Sequence, residues 1–142
     1  MCQSDKVRLF FPYWSWRISK EMLDKYECVA FHMTDLPFGR GGSPLQNLIL
    51  RGFTETVITA FRVTDEWDAG PIYCKRPLSL DGTAQEIFDR ASKIIYNDMI
   101  PFILTHNIVP TPQEGEVVIF NRIKQSEYPE PVRMWLAWGY TK

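Results

Sequence analysis

Residues Cys28–Leu50 read CVAFHMTDLPFGRGGSPLQNLIL. The opening run, Cys28–His32, is apolar and ends on a histidine, which is the pattern of a strand buried on both faces. The closing run follows Ser43, with Pro44 next and Gln46 three places on. That spacing predicts a helix with serine at the N-cap, proline in the first turn and a capping box. Gly52 is a natural residue to end it. Between the two lie glycines 39, 41 and 42. The whole stretch therefore predicts strand, glycine-rich loop and helix, and open α/β sheets place ligands at such a junction.

The flanking sequence extends the pattern. Val7–Pro12 reads as a short buried strand stopped by its proline, and Ser19 opens a short helix with Glu21 in its first turn. An apolar strand, a helix and a second apolar strand in close succession predict a βαβ unit with a parallel pair. Downstream, Glu55–Val63 is β-branched and predicts a strand, Thr64–Gly70 a polar turn, and Pro71–Leu80 another extended segment. Thr83 and Glu86 form a second capping box, opening a long amphipathic helix with Ile87, Ala91, Ile94, Ile95 and Ile100 inward. Pro101 should kink or end that helix, and Glu116–Phe120 predicts a last strand. Near the end, Trp135 and Trp138 fall on one face of a short helical pattern.

Composition narrows the function. With 142 residues and 45% hydrophobic content, the chain fits one α/β domain. Lys and Arg number 16 against 17 Asp and Glu, with no basic run, so the footprint of a nucleic-acid binder is missing. Cys2, Cys28 and Cys74 form no C-x-x-C pair, which argues against a disulfide framework or a zinc site. No apolar stretch reaches membrane-span length and no secretion signal opens the chain, so a soluble cytoplasmic protein without metal is expected.

Taken alone, the glycine loop matches neither G-x-x-x-x-G-K-[ST] nor G-x-G-x-x-G, and a plain loop-geometry role is the stronger reading. A lone His32 is more often structural than catalytic, and an aspartate in a turn such as Asp68 is more often solvated. Their placement raises both. Each lies at or beyond the carboxyl end of a predicted strand, and together they would form a competent acid–base pair if brought within reach. Glu21, Asp24 and Asp89 fall at helix-surface spacings and read as solvated.

With these residues in view, AFHMTDLPFGRGGSPLQNLILRG resembles the loop of folate-dependent formyltransferases, in which N-x-H precedes [ST]-x-L-P, R-G and a proline-started helix. The match falls on His32, Thr34, Leu36, Pro37, Arg40, Gly41, Pro44 and Gln46 without a gap. VTDEWDAGPI resembles the family's second signature, and SWRISKEML the segment lining its folate pocket. The resemblance runs from about Val7 to Phe120 and is strongest to methionyl-tRNA formyltransferase-like and amino-sugar members. It implies a mostly parallel, Rossmann-like α/β sheet incomplete at its N-terminal side, occupying residues 1–120, followed by an irregular tail over 121–142.

The implied activity is transfer of a formyl group from N10-formyltetrahydrofolate to an amine, here the amino group of a nucleotide-linked sugar. His32 would sit at the reacting carbon, and Asp68 would orient or charge it and assist proton transfer. Trp16, Arg17 and Ile18, with the backbone around Val63, Asp65 and Trp67, would contact the pterin. The resemblance also puts the family's asparagine at Ala30, so a methyl stands where an oxyanion donor is expected. Thr34, Asn47 or a backbone N–H are the candidates to replace it. The competing expectation is a non-catalytic relative that binds a ligand or partner. A parallel sheet lacking strands exposes an edge, so a homo-oligomer or a longer natural chain is expected as well.

Overall fold

Edge strand β1 (Arg8–Phe11) runs into helix α1 (Lys20–Lys25) and then strand β2 (Glu27–His32) in a computed structural model that describes residues 6–14 and 17–124. Trp16 and residues 125–142, including Trp135 and Trp138, lie outside the described residues. Ser19 caps α1 by accepting the Met22 N–H at 3.2 Å. β1 and β2 pair in parallel, completing the βαβ unit that the sequence predicts.

Strands β4 (Glu55–Arg62) and β5 (Ile72–Ser79) complete a four-stranded sheet of order β1-β2-β4-β5. Here the mostly parallel expectation needs correcting. β2–β4 and β4–β5 are antiparallel, so among the described residues parallel and antiparallel pairs are equal in number. The polar turn between β4 and β5 is too short for the crossover that a parallel pair needs, and it closes as a hairpin. The α/β class itself stands.

A second departure lies inside the glycine-rich stretch. Phe38–Gly41 is not loop but a strand, β3, paired in parallel with β6 (Val118–Phe120) as a small second sheet. Helix α2 (Pro44–Leu50) follows it, without the expected capping box. Ser43 sits in the left-handed region at φ 51, and its side chain makes no cap bond. Its hydroxyl instead accepts the Ile123 N–H at 3.1 Å.

The core lies between the large sheet and a helix laid across one of its faces. Thr83 and Glu86 form the predicted capping box at the start of α3 (Ala84–Ile94). Helix α3 then passes through a π turn (Ile95–Met99) into α4 (Ile100–His106). Pro101 therefore neither ends nor breaks the helix. The π turn, with i→i+5 bonding, takes up the irregularity just ahead of the proline, whose N–H is missing. Ile87, Ala91, Ile95, Met99 and Ile103 are all fully buried against Val29, Phe31, Ile58, Ala60 and Leu78. Spacing of four overshoots a 3.6-residue turn, and the wide π turn brings this stripe back onto the sheet. Each large member contributes about 1.5–3 kcal/mol by burial. Ile94 and Ile100 pack at the margin of the core rather than within it.

The same covered side of the sheet holds one buried charge. Glu27 is paired by Arg8 at 3.3 Å and accepts a hydrogen bond from the Tyr73 hydroxyl. Burial and this bond to Glu27 hold the Tyr73 phenol far above its ordinary range. The opposite side of the sheet carries Ala30 and Phe61, with His32 at the end of the same strand face.

Candidate functional site

His32 closes β2 and lies opposite Thr59 of β4, which in turn lies opposite Lys75 of β5. The imidazole is buried, with Nε2 at 2.8 Å from the Gly39 carbonyl. A carbonyl only accepts, so Nε2 carries the hydrogen, and Nδ1 is the nitrogen that can take up a proton. The aim of that carbonyl depends on glycine. Gly39 has φ +82, and a Cβ there would stand 2.7 Å from the Thr34 Cγ2. Thr34 adds its own hydroxyl to the Gly39 carbonyl at 3.2 Å, while its backbone carbonyl accepts from Thr59 Oγ1 at 2.7 Å.

Asp68 reaches His32 from the β4–β5 turn. Its Oδ1 lies 3.9 Å from His32 Nδ1, and Oδ2 accepts the Gly41 N–H at 2.8 Å. The side chain is only 5% exposed and its backbone holds φ 54, a left-handed conformation uncommon outside glycine. Far from a solvated turn residue, Asp68 is a buried carboxylate facing an imidazole. The structure thus brings together the two residues that the sequence paired by their positions at strand ends and by the family resemblance.

Lys75 braces the loop from below, donating to the Leu36 carbonyl at 2.8 Å and pairing with Asp35 at 2.5 Å. Gln113 ties the far side, joining Arg40 to the backbone of Asp68 and Gly70. Neither was singled out from sequence. Lys75 occupies an alternating strand position, and Gln113 lies in the stretch PTPQEGE (Pro110–Glu116), which has no periodicity to read.

An open cleft adjoins Asp68, lined by Trp14, Arg17, Ile18 and Val63–Asp68. Five of the residues expected to contact a pterin therefore share one cleft: Arg17, Ile18, Val63, Asp65 and Trp67. Trp14 joins them unforeseen, its ring stacked on that of Trp67 at 5.8 Å and 1°. The aromatic run FFPYW around it was the available signal. Arg17 lies over the Trp67 ring at 5.6 Å and donates to the Asp65 carbonyl at 2.6 Å. The Val63 N–H is already bonded to the Cys28 carbonyl.

Ala30 is fully buried with Leu36 and Phe61, in a small cluster that Trp14 and Val63 also touch. Neither side chain considered as a replacement donor is free. Thr34 is committed to the Gly39 carbonyl, and the Asn47 amide to the carbonyls of Gly42, Ser43 and Asn121. Burial pushes the Cys28 and Cys74 thiols up, and among the described residues no His/Cys/Asp/Glu cluster is arranged to hold a metal.

The fold and this geometry can now be set beside known proteins. No protein-family model matches the chain. Methionyl-tRNA formyltransferase from Clostridium thermocellum is 58% identical, with a TM-score of 0.83 over 84% of this chain and 53% of that one. The chain belongs to the folate-dependent formyltransferase family. Methionyl-tRNA formyltransferase from Halorhodospira halophila is 31% identical over 110 residues, 72% of this chain and 36% of its own length. The chain thus spans about a third of the length of the curated formyltransferases it matches. Among solved structures, the formyltransferase PseJ from Anoxybacillus kamchatkensis, in complex with a UDP-linked formamido sugar and tetrahydrofolate, shares the fold at a TM-score of 0.64 and 16% identity. HypX from Aquifex aeolicus, in complex with tetrahydrofolic acid, does so at 0.66 and 21%. No helix among the described residues is long and apolar enough to cross a membrane.

Proposed function

We propose that the chain carries out formyl transfer from N10-formyltetrahydrofolate to a primary amine, with His32 and Asp68 handling the protons. The observation that carries this reading is the position of Asp68, which lines the cleft and at the same time faces His32 Nδ1. A folate fits the cleft in character. The lining residues Trp14, Trp67, Ile18 and Val63 supply the aromatic and apolar surface that a flat bicycle needs.

Formyl transfer forms a bond from the amine nitrogen to the formyl carbon and breaks the bond from that carbon to N10. A proton must leave the attacking amine and another must reach the departing nitrogen. In this reading Nδ1 accepts the amine proton, since Nε2–H is pinned to Gly39. The Asp68 carboxylate then stabilises the imidazolium, which gives that proton up to the departing N10. At 3.9 Å that attraction is on the order of 4 kcal/mol in a site of intermediate polarity.

For the acceptor we favour the amino group of a nucleotide-linked sugar, in a cytoplasmic setting. Support comes from the even charge balance of 16 Lys and Arg against 17 Asp and Glu, without a basic run to follow an RNA backbone. The matched relatives named for methionyl-tRNA make that RNA the natural comparison. β1 ends the strand order, so pairing of that edge with a second copy belongs to the same proposal.

The test is incubation with N10-formyltetrahydrofolate and, in parallel arms, amino-sugar nucleotides and methionyl-tRNA. Product is read by mass, with His32→Ala as control. Product in the sugar arm, lost in the variant, is the expected result; no formylated product in any arm overturns the reading. Ala30 favours one alternative, a binding module without turnover. Tight binding of a stable folate analogue by calorimetry, with no product, would select it.

A further inference from the structure

Gln113 carries an amide whose hydrogen-bonding capacity is fully used. Its Nε2 donates to the Asp68 and Gly70 carbonyls, both at 2.9 Å. Its Oε1 accepts from Arg40 Nε at 3.2 Å and Nη2 at 2.8 Å. Two donors and two lone pairs are all that such a side chain offers. It reaches the site from the segment between α4 and β6, more than forty positions along the chain from Asp68.

We infer that Gln113 is a positioning residue that sets the Asp68 carboxylate against His32, an inference that rests on the acid–base reading above. Two anchors hold Asp68, and Gln113 stands behind both. One is direct, at the backbone carbonyl of a residue held in the left-handed region. The other runs through Arg40, whose neighbour Gly41 supplies the N–H that fixes Oδ2. Side-chain bonds to carbonyls are what a turn in this conformation lacks from any strand ladder. At 3.9 Å, Oδ1 and Nδ1 stand just beyond direct hydrogen-bond range, so small displacements of the carboxylate change the pair most.

The Gly41 amide reports the carboxylate's position without any turnover. Its proton resonance and exchange rate are measured in the wild type, Gln113→Met, Gln113→Glu and Gln113→Asn, with Asp68→Ala marking complete loss of the acceptor. Gln113→Glu keeps the acceptor for Arg40, now as an ion pair, and so guards the fold, but cannot donate to Asp68 or Gly70. The expected result is a Gly41 resonance moved toward the Asp68→Ala position in the Met and Glu variants, with Asn between. In the transfer assay the same variants lose kcat by up to about 10²-fold while KM for the formyl donor holds. An unmoved Gly41 amide in both Met and Glu variants overturns the inference. Should the wild type transfer no formyl group, the function proposed above fails, and the Gly41 resonance still decides the role of Gln113.

Discussion

His32 Nδ1 faces Asp68 Oδ1 at 3.9 Å while the ring's other nitrogen is held by the Gly39 carbonyl at 2.8 Å. This leaves one nitrogen to exchange protons and one carboxylate to answer the charge. His32→Ala should lower formyl transfer by about 10²–10⁴-fold, the usual contribution of a placed acid–base group. Asp68→Asn keeps an acceptor for the Gly41 N–H but removes the charge, so it should lower kcat while leaving folate binding by calorimetry unchanged. Equal losses in kcat and in folate affinity would count against an acid–base role.

Gly39 is where backbone conformation supports that pair. Gly39→Ala would force a side chain into φ +82, with its Cβ 2.7 Å from Thr34 Cγ2. Thr34 has little freedom to yield, being fully buried with its hydroxyl bonded to Gly39 itself. The left-handed conformation alone costs about 1–2 kcal/mol, and the contact adds to it. Urea denaturation should show a loss of at least about 2 kcal/mol, and activity should fall beyond what the unfolded fraction explains.

How much of this was legible depended on the reach of each interaction. The Thr83 capping box could be read because both partners lie within four residues of each other. The Ser43 box could not, because its hydroxyl is claimed by Ile123, brought close only by the tertiary fold. β3 has two glycines in four residues and no alternation, and it becomes a strand because β6 supplies its ladder. His32 and Asp68 were found through strand ends and a family pattern, both local signals. Gln113 and Trp14 were missed because they act only through residues distant in sequence.

Alkaline stability should report on the buried phenol. Burial first, and the hydroxyl's bond to Glu27 next, hold Tyr73 in its protonated form far above the ordinary range. Above about pH 10 the unfolded chain releases phenolic protons that the folded chain keeps. Folding then binds protons, so stability falls as pH rises through that region and is unaffected by this group below it. Tyr73→Phe should flatten the alkaline decline in melting temperature. At pH 7 the same variant should cost about 1–3 kcal/mol, because buried Glu27 loses a donor and, among the described residues, is left with Arg8.

Ala30 offers the sharpest test of whether the chain's chemistry is limited by a missing donor. It shares a strand face with His32, and its cluster touches Trp14 and Val63, which line the cleft. The family resemblance puts an amide at this position, where it would donate to the tetrahedral oxyanion. One such donor is worth about 10²–10³ in rate elsewhere. Ala30→Asn should therefore raise kcat, with KM for the formyl donor little changed. The cost is structural: Ala30 is fully buried beside Leu36 and Phe61, so an amide unpaired in the resting state should lower stability by about 1–3 kcal/mol. A faster but less stable variant would mean that the wild type works without this donor. A variant destabilised with no gain in rate would mean instead that the oxyanion, if it forms, is held by groups other than the side chain at position 30.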